Sequence, residues 1–132
     1  MTPEAKRNPQ EELLEVIEIN RYGKTRKATI SRSHKGVLCD CEGFKLTLTE
    51  LLVLSFRANG LSNKKIANRI QLSDTRIKDI LKEIKINNGR FGSNGLPGTF
   101  DLIVKAETLG ILDPFFLGKL VEKYPGSFSK NS

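Results

Sequence analysis

Between Leu46 and Gly89 three helix-start signals follow one another, and each precedes an apolar stripe at helical spacing. Thr47 and Glu50 have the Thr-x-x-Glu spacing of a capping box, in which a hydroxyl and a carboxylate each take a backbone N–H that the first helical turn leaves unpaired. The helix they open is expected to run to about Asn59 and to bury Leu51, Leu54 and Ala58, with Gly60 at its end. Ser62 is the expected N-cap of a second, short helix from Asn63 to Ile70, with Ile66, Ala67 and Ile70 on its apolar face. Leu72 anchors the turn that follows. Ser73 then caps a third helix from Asp74 to about Asn87, which Asn88-Gly89 ends.

The third helix carries the most information. Ile77, Ile80, Leu81 and Ile84 fall at i, i+3, i+4 and i+7, one stripe facing a core. At about 100° per residue the opposite face is Thr75, Asp79, Lys82 and Ile86. Arg76 and Lys78 lie on the flanks, and Lys85 lies nearer the stripe. An apolar back with a front of groups that reach base edges and phosphates suits a helix in the DNA major groove. The same pattern also describes an ordinary amphipathic helix with a solvated charged face.

Charge distribution separates these two descriptions. The chain of 132 residues has a formal net charge of +7, which suggests an anionic partner, nucleic acid before membrane. Residues 60–90 hold eight Lys/Arg against three acids, whereas residues 91–132 hold four of each. From Asn20 to Leu38 there are six basic residues and no acid. The excess positive charge therefore sits on two segments, one of which has the helix-turn-helix pattern.

The remaining chain frames this element. Residues 1–10 read as a polar tail, and the opening MTPEAKRNPQEE lacks the apolar stretch of a secretion signal. No window approaches the length of a membrane span, so a cytoplasmic, nucleoid-associated protein is expected. Residues 11–19 fit either a short helix or the opening of a strand near Val16. KATIS at 27–31, a turn at His34-Lys35-Gly36 and Val37 to Cys39 read as a small antiparallel meander. Cys39 and Cys41 are expected as reduced thiols; with His34 they fall short of the four ligands of a closed zinc site. RFGSNGLPG, residues 90–98, is expected as a loop. Thr99 then caps a fourth helix, Phe100 to about Leu109, with Phe100, Ile103, Val104 and Ala106 apolar. Asp113-Pro114 opens a last helix to about Tyr124, where Pro125 stops it, and a frayed tail follows. The expected fold is mainly α: a bundle of four to five helices with a small N-terminal β-hairpin or meander as an appendage. The expected divisions are residues 1–45, 46–112 and 113–132.

The run LTLTELLVLSFRANGLSNKKIANRIQLSDTRIKDILKEI, residues 46–84, resembles the LuxR-type helix-turn-helix of bacterial transcription regulators. Leu46, Thr47, Glu50, Val53, Leu54, Ala58, Gly60, Leu61-Ser62-Asn63-Lys64, Ile66-Ala67, Ser73, Lys78, Leu81 and Ile84 carry the likeness. Leu102 to Leu112 looks like that family's fourth helix, typically its dimer face. The resemblance implies a two-fold dimer on a pseudo-palindromic site. It departs at Lys65, where the family usually has Glu, at Gln71, where Gly is frequent, and at Arg76 and Asp79 in the recognition helix. The loop 90–98 is longer than is usual in the family.

On this reading the bases are read by Thr75, Arg76, Lys78, Asp79 and Lys82. Phosphates are held by Ser62, Asn63, Lys64, Lys65 and Lys85, with Arg69 a weaker candidate. Phosphate contacts position such a protein and base contacts specify its site. The basic stretch Arg21 to Lys35 fits either an arm touching the flanking DNA backbone or a polar hairpin. No catalytic set, cofactor or metal is expected. Two other functions compete. One is an adaptor that docks on RNA polymerase or a signalling partner through Phe115, Phe116 and Leu120. The other is a general nucleoid or RNA binder, which would lose affinity steeply with salt and prefer no sequence.

Overall fold

Tyr22-Gly23 and Glu42-Gly43 each take positive φ at both positions (53° and 72°, 53° and 87°). Two successive residues in that region make the tight turn whose twist matches paired antiparallel strands. With the turn at His34-Lys35, these hairpins fold residues 12–47 of the computed structural model into one meander. The structure describes residues 11–89 and 98–128. Strands β1 (Glu12–Arg21), β2 (Lys24–Ser33), β3 (Gly36–Cys41) and β4 (Phe44–Thr47) pair antiparallel in the order β1-β2-β3-β4. Helices α1 (Leu48–Ala58), α2 (Asn63–Ile70), α3 (Asp74–Asn87), α4 (Thr99–Leu109) and α5 (Pro114–Lys123) follow, and a 3₁₀ turn covers Pro125–Phe128.

This overturns the mainly-α expectation. The fold is α+β, with a four-stranded sheet leading the chain into five helices. Nor is the sheet an appendage. Its inner face presents Ile19, Ala28, Ile30, Cys39, Cys41, Phe44 and Leu46, all buried, to the same core as Leu48, Leu51, Leu54, Ile77, Ile80, Ile84, Leu102 and Leu109. The sheet meets the helical layer at α1 and α4, through β3, β4 and β1, and burying each such apolar side chain is worth about 1.5–3 kcal/mol.

Residues 11–19 are strand, and their ambiguity in sequence has a physical cause. The register shifts between Leu13, opposite Ser31, and Glu15, opposite Ile30, so Leu14 is the extra residue of a β-bulge. Two residues then oppose one, and strict alternation is lost. Leu14, Ile17 and Ile19 pack toward the core, while Leu13 and Val16 are exposed. A spacing of three followed by two imitates a helical stripe.

The first three helix starts fall where the caps predict. Glu50 N–H donates to Thr47 Oγ1 at 3.1 Å and Thr47 N–H to Glu50 Oε1 at 2.8 Å, so both arms of the capping box form. Ser62 Oγ accepts from Lys65 N–H, and Ser73 Oγ from Arg76 N–H. Two buried faces differ from expectation. In α1, Ala58 is exposed and Val53 is buried instead. In α4, Phe100 and Val104 are exposed and Leu102, Ala106 and Leu109 face the core. The helix begins one residue early, at Thr99, with Gly98 N–H donating to Asp101 Oδ2 at 2.9 Å. Its far end is set by tertiary contact. Gly110 has φ +85°, and a Cβ there would lie 2.5 Å from Ile19 Cγ2 of β1, so only glycine closes this corner.

The expected tail 1–10 and most of the loop 90–98 lie outside the described residues. Among the described residues no helix is long and apolar enough to cross a membrane, and no group of three or more His, Cys, Asp or Glu is placed to hold a metal. Cys39 and Cys41 are free and buried. Burial pushes both thiols up, Cys41 to about 11, which leaves them as weakly reactive core residues.

Candidate nucleic-acid interface

The third helix is held from behind at both levels of structure. Along its length Ile77, Ile80, Leu81 and Ile84 are buried. At its C-terminus Asn88, fully buried, reaches across to β4. Its Oδ1 accepts from Lys45 N–H at 2.9 Å, and its Nδ2 donates to Lys45 O at 3.1 Å and to Ile84 O at 3.0 Å. One amide thus satisfies both main-chain groups of a β4 residue and a terminal carbonyl of the helix. This residue looked like a plain helix stop in the sequence; an amide beside a helix end is too common a signal to mark a contact 43 positions away.

Behind this anchoring, the front of α3 is open. Thr75, Lys78, Asp79 and Lys82 are exposed, as is Ile86, while Lys85 is half-buried beside the stripe. Fourteen residues of helix extend about 21 Å, enough to follow a major groove about 12 Å wide. Arg76 is exposed but engaged: its Nη1 lies 3.3 Å from Glu83 Oε2, two helical turns on, along one flank of α3. That arrangement draws Arg76 aside from Thr75, Asp79 and Lys82. Glu83 was not among the expected site residues, although its i+7 spacing from Arg76 was visible.

The turn between α2 and α3 is closed by Gln71 at φ 60°, ψ 46°, the left-handed region. A side chain there costs about 1 kcal/mol relative to glycine, so Gln71 closes the turn at that modest cost. At the start of α2, Ser62, Lys64 and Lys65 are exposed, and Asn63 is half-buried with its Oδ1 lacking a hydrogen-bond partner. This end carries positive charge beside the N–H groups that open the helix, one of which Ser62 caps, an arrangement that attracts phosphate. Arg69 stands apart from that end. Its guanidinium lies 5.5 Å from the centre of the Phe56 ring, packed against α1.

The second basic segment divides in two. Arg21 pairs with Glu107 and stacks on the Tyr22 ring at 5.1 Å. Arg26 donates to Thr108 O at 3.0 Å and lies 3.4 Å from Glu42. Both therefore belong to the seam between the sheet and α4. Lys24, Lys27, Arg32 and Lys35 remain exposed. The tip of the β2–β3 hairpin, with Arg32 and Lys35, lines an open groove of about 1570 Å³ with Arg76 and Glu83 of α3 on its far wall. Glu50 lies in the same groove. Burial raises its carboxyl, and Glu83 adds to the rise, while hydrogen bonds from Thr47 and the charge of Lys35 oppose it.

The C-terminal segment is tied to β1 through Glu15. Lys123 Nζ donates to Glu15 Oε1 at 2.8 Å, and Tyr124 Oη donates to Glu15 Oε2. These two bonds hold the Glu15 carboxyl below the usual carboxylate range, and burial with the same partner pushes the Tyr124 hydroxyl up to about 12. Phe116 and Leu120 are in the core and only Phe115 is exposed, so the three residues expected as an adaptor's contact do not share a surface.

No protein-family model, no curated protein and no solved structure matches this chain.

Proposed function

We propose that the chain is a sequence-specific double-stranded DNA-binding protein, a small transcription regulator that lays α3 in the major groove. One observation carries the reading. The α3 helix is buried along its back and tied down at its end by Asn88, yet its front, Thr75, Lys78, Asp79 and Lys82, is exposed and, among the described residues, enters no salt bridge. A rigid helix with an idle polar front is what base reading requires, since base contacts must be held to within a fraction of an ångström.

In this reading Thr75, Lys78 and Lys82 meet base edges. Asp79 accepts from a cytosine amino group or orients a neighbouring lysine. Lys64, Lys65 and the N–H groups at the start of α2 take phosphates, with Ser62, Asn63 and Lys85 nearby. Arg76 joins them once it leaves Glu83, because an exposed ion pair of that kind is weak. The resemblance of residues 46–112 to LuxR-type domains supports the same reading and suggests two copies on a pseudo-palindromic site.

The test is selection from a random duplex pool at low and physiological salt. Enrichment of a pseudo-palindrome that survives physiological salt is the expected result. Binding that vanishes with salt and enriches no motif overturns it in favour of a general nucleic-acid binder. Absence of binding even at low salt favours an adaptor.

A further inference from the structure

The four exposed basic residues of β2 and its following turn are not equivalent. Lys24 and Lys27 lie toward the β1–β2 end of the strand. Arg32 and Lys35 lie at the β2–β3 tip, where they line the groove whose other wall is Arg76, Ile80, Glu83 and Asn87 of α3. The electrostatics of Glu50 reflect the same proximity. Its carboxyl feels both Lys35 of the tip and Glu83 of α3, so the tip and the helix flank approach one buried group from two sides. The tip is also well formed. Ser33 Oγ accepts from Lys35 N–H and donates to Gly36 O, both at 3.1 Å, which holds the turn. Among the described residues neither Arg32 nor Lys35 makes a salt bridge.

We propose that the β2–β3 tip is a second DNA-contacting element, in which Arg32 and Lys35 sit on the sugar-phosphate backbone flanking the major groove that α3 enters. The inference rests on the DNA-binding reading of α3. Its physical content is an open groove lined by Arg32 and Lys35 of the tip and by Arg76 of α3, with Glu50 and Glu83 among the acidic groups beside them. Glu83 holds Arg76 along the cleft in the free protein, and a phosphate between Arg76 and Lys35 replaces that partner. Contacts of this kind carry no sequence information. They add affinity through counterion release and fix the orientation of α3.

The experiment compares the full chain with two double variants, Arg32→Gln/Lys35→Gln and Lys24→Gln/Lys27→Gln, which remove equal charge from the two ends of one strand. Affinity for the selected duplex and for an unrelated duplex is measured across salt concentrations, with thermal unfolding as the check on folding. The tip variant is expected to weaken binding to both duplexes alike and to lower the slope of log K against log salt by about 2, one phosphate for each charge. The Lys24/Lys27 variant is expected to leave the slope nearly unchanged. Wild-type binding with an unaltered slope in the tip variant overturns the proposal and leaves α3 as the reader. Equal losses in both variants overturn it too, since net charge then explains the effect. A wild-type chain that binds no duplex overturns the DNA reading itself.

Discussion

The seam where the sheet meets α4 and α5 and the front of the helix-turn-helix are both rich in charge, yet they use it in opposite ways. In the seam, Arg21 faces Glu107 and Asp113, Arg26 faces Glu42 and the Thr108 carbonyl, and Glu15 takes Lys123 and Tyr124. On the front of α2 and α3, Lys64, Lys65, Lys78 and Lys82 are exposed and, among the described residues, enter no salt bridge. Charges paired within the fold define how its layers meet. Charges left facing water are available to an anionic partner. The difference teaches that net positive charge by itself does not locate a binding surface; the partners of each charge do.

Four measurements break or sharpen this contrast. The largest effect is expected from Phe44→Ala, which empties a fully buried site between sheet and helices. It should lower stability by about 3–5 kcal/mol in chemical denaturation. A loss below about 1 kcal/mol would return the sheet to the status of an appendage. Asn88→Ala should remove about 2–3 kcal/mol, because it strands the main-chain groups of Lys45. Its DNA affinity should fall further than its stability alone dictates, since α3 loses its end anchor.

Lys82→Ala inverts that pattern. Thermal stability should be unchanged, while binding to the selected duplex weakens by about 1–3 kcal/mol and the preference at one base pair relaxes. An unaltered sequence preference would remove Lys82 from the reading face.

The smallest effect is in the seam. Glu15→Gln should cost about 1 kcal/mol at neutral pH, as partly exposed ion pairs do. Because the folded state lowers the Glu15 carboxyl from its usual value near 4.5, its contribution is present above that value and is lost as the pH falls through the lower, folded value. The stabilities of wild type and variant should therefore converge on acidification below about pH 4.5. A gap that persists in acid would show that the carboxylate charge is not what matters there.

Much of the helix-turn-helix was legible from local rules. Thr47, Ser62 and Ser73 cap the helices they were expected to cap, and Ile77, Ile80, Leu81 and Ile84 form the expected buried stripe. The sheet was legible only in fragments. The Glu42-Gly43 turn carries a weaker signal than an Asn-Gly or Asp-Gly pair, and it sits against the helical run that begins at Leu46, which masks it. The bulge at Leu14 disguised β1. In α4 the apolar residues outnumber the buried positions, so periodicity alone does not choose between Phe100 with Val104 and Leu102 with Leu109.

What the amino-acid order determined on its own is where helices begin and which side of α3 turns inward. Those properties depend on groups three or four residues apart, within one element. The tertiary structure decided that the sheet supplies one wall of the core, that Asn88 ties α3 to β4, and that Arg21 and Arg26 are paired within the fold while, among the described residues, Arg32 and Lys35 enter no salt bridge. Each of these depends on residues tens of positions apart meeting in space, and no local periodicity encodes such a meeting.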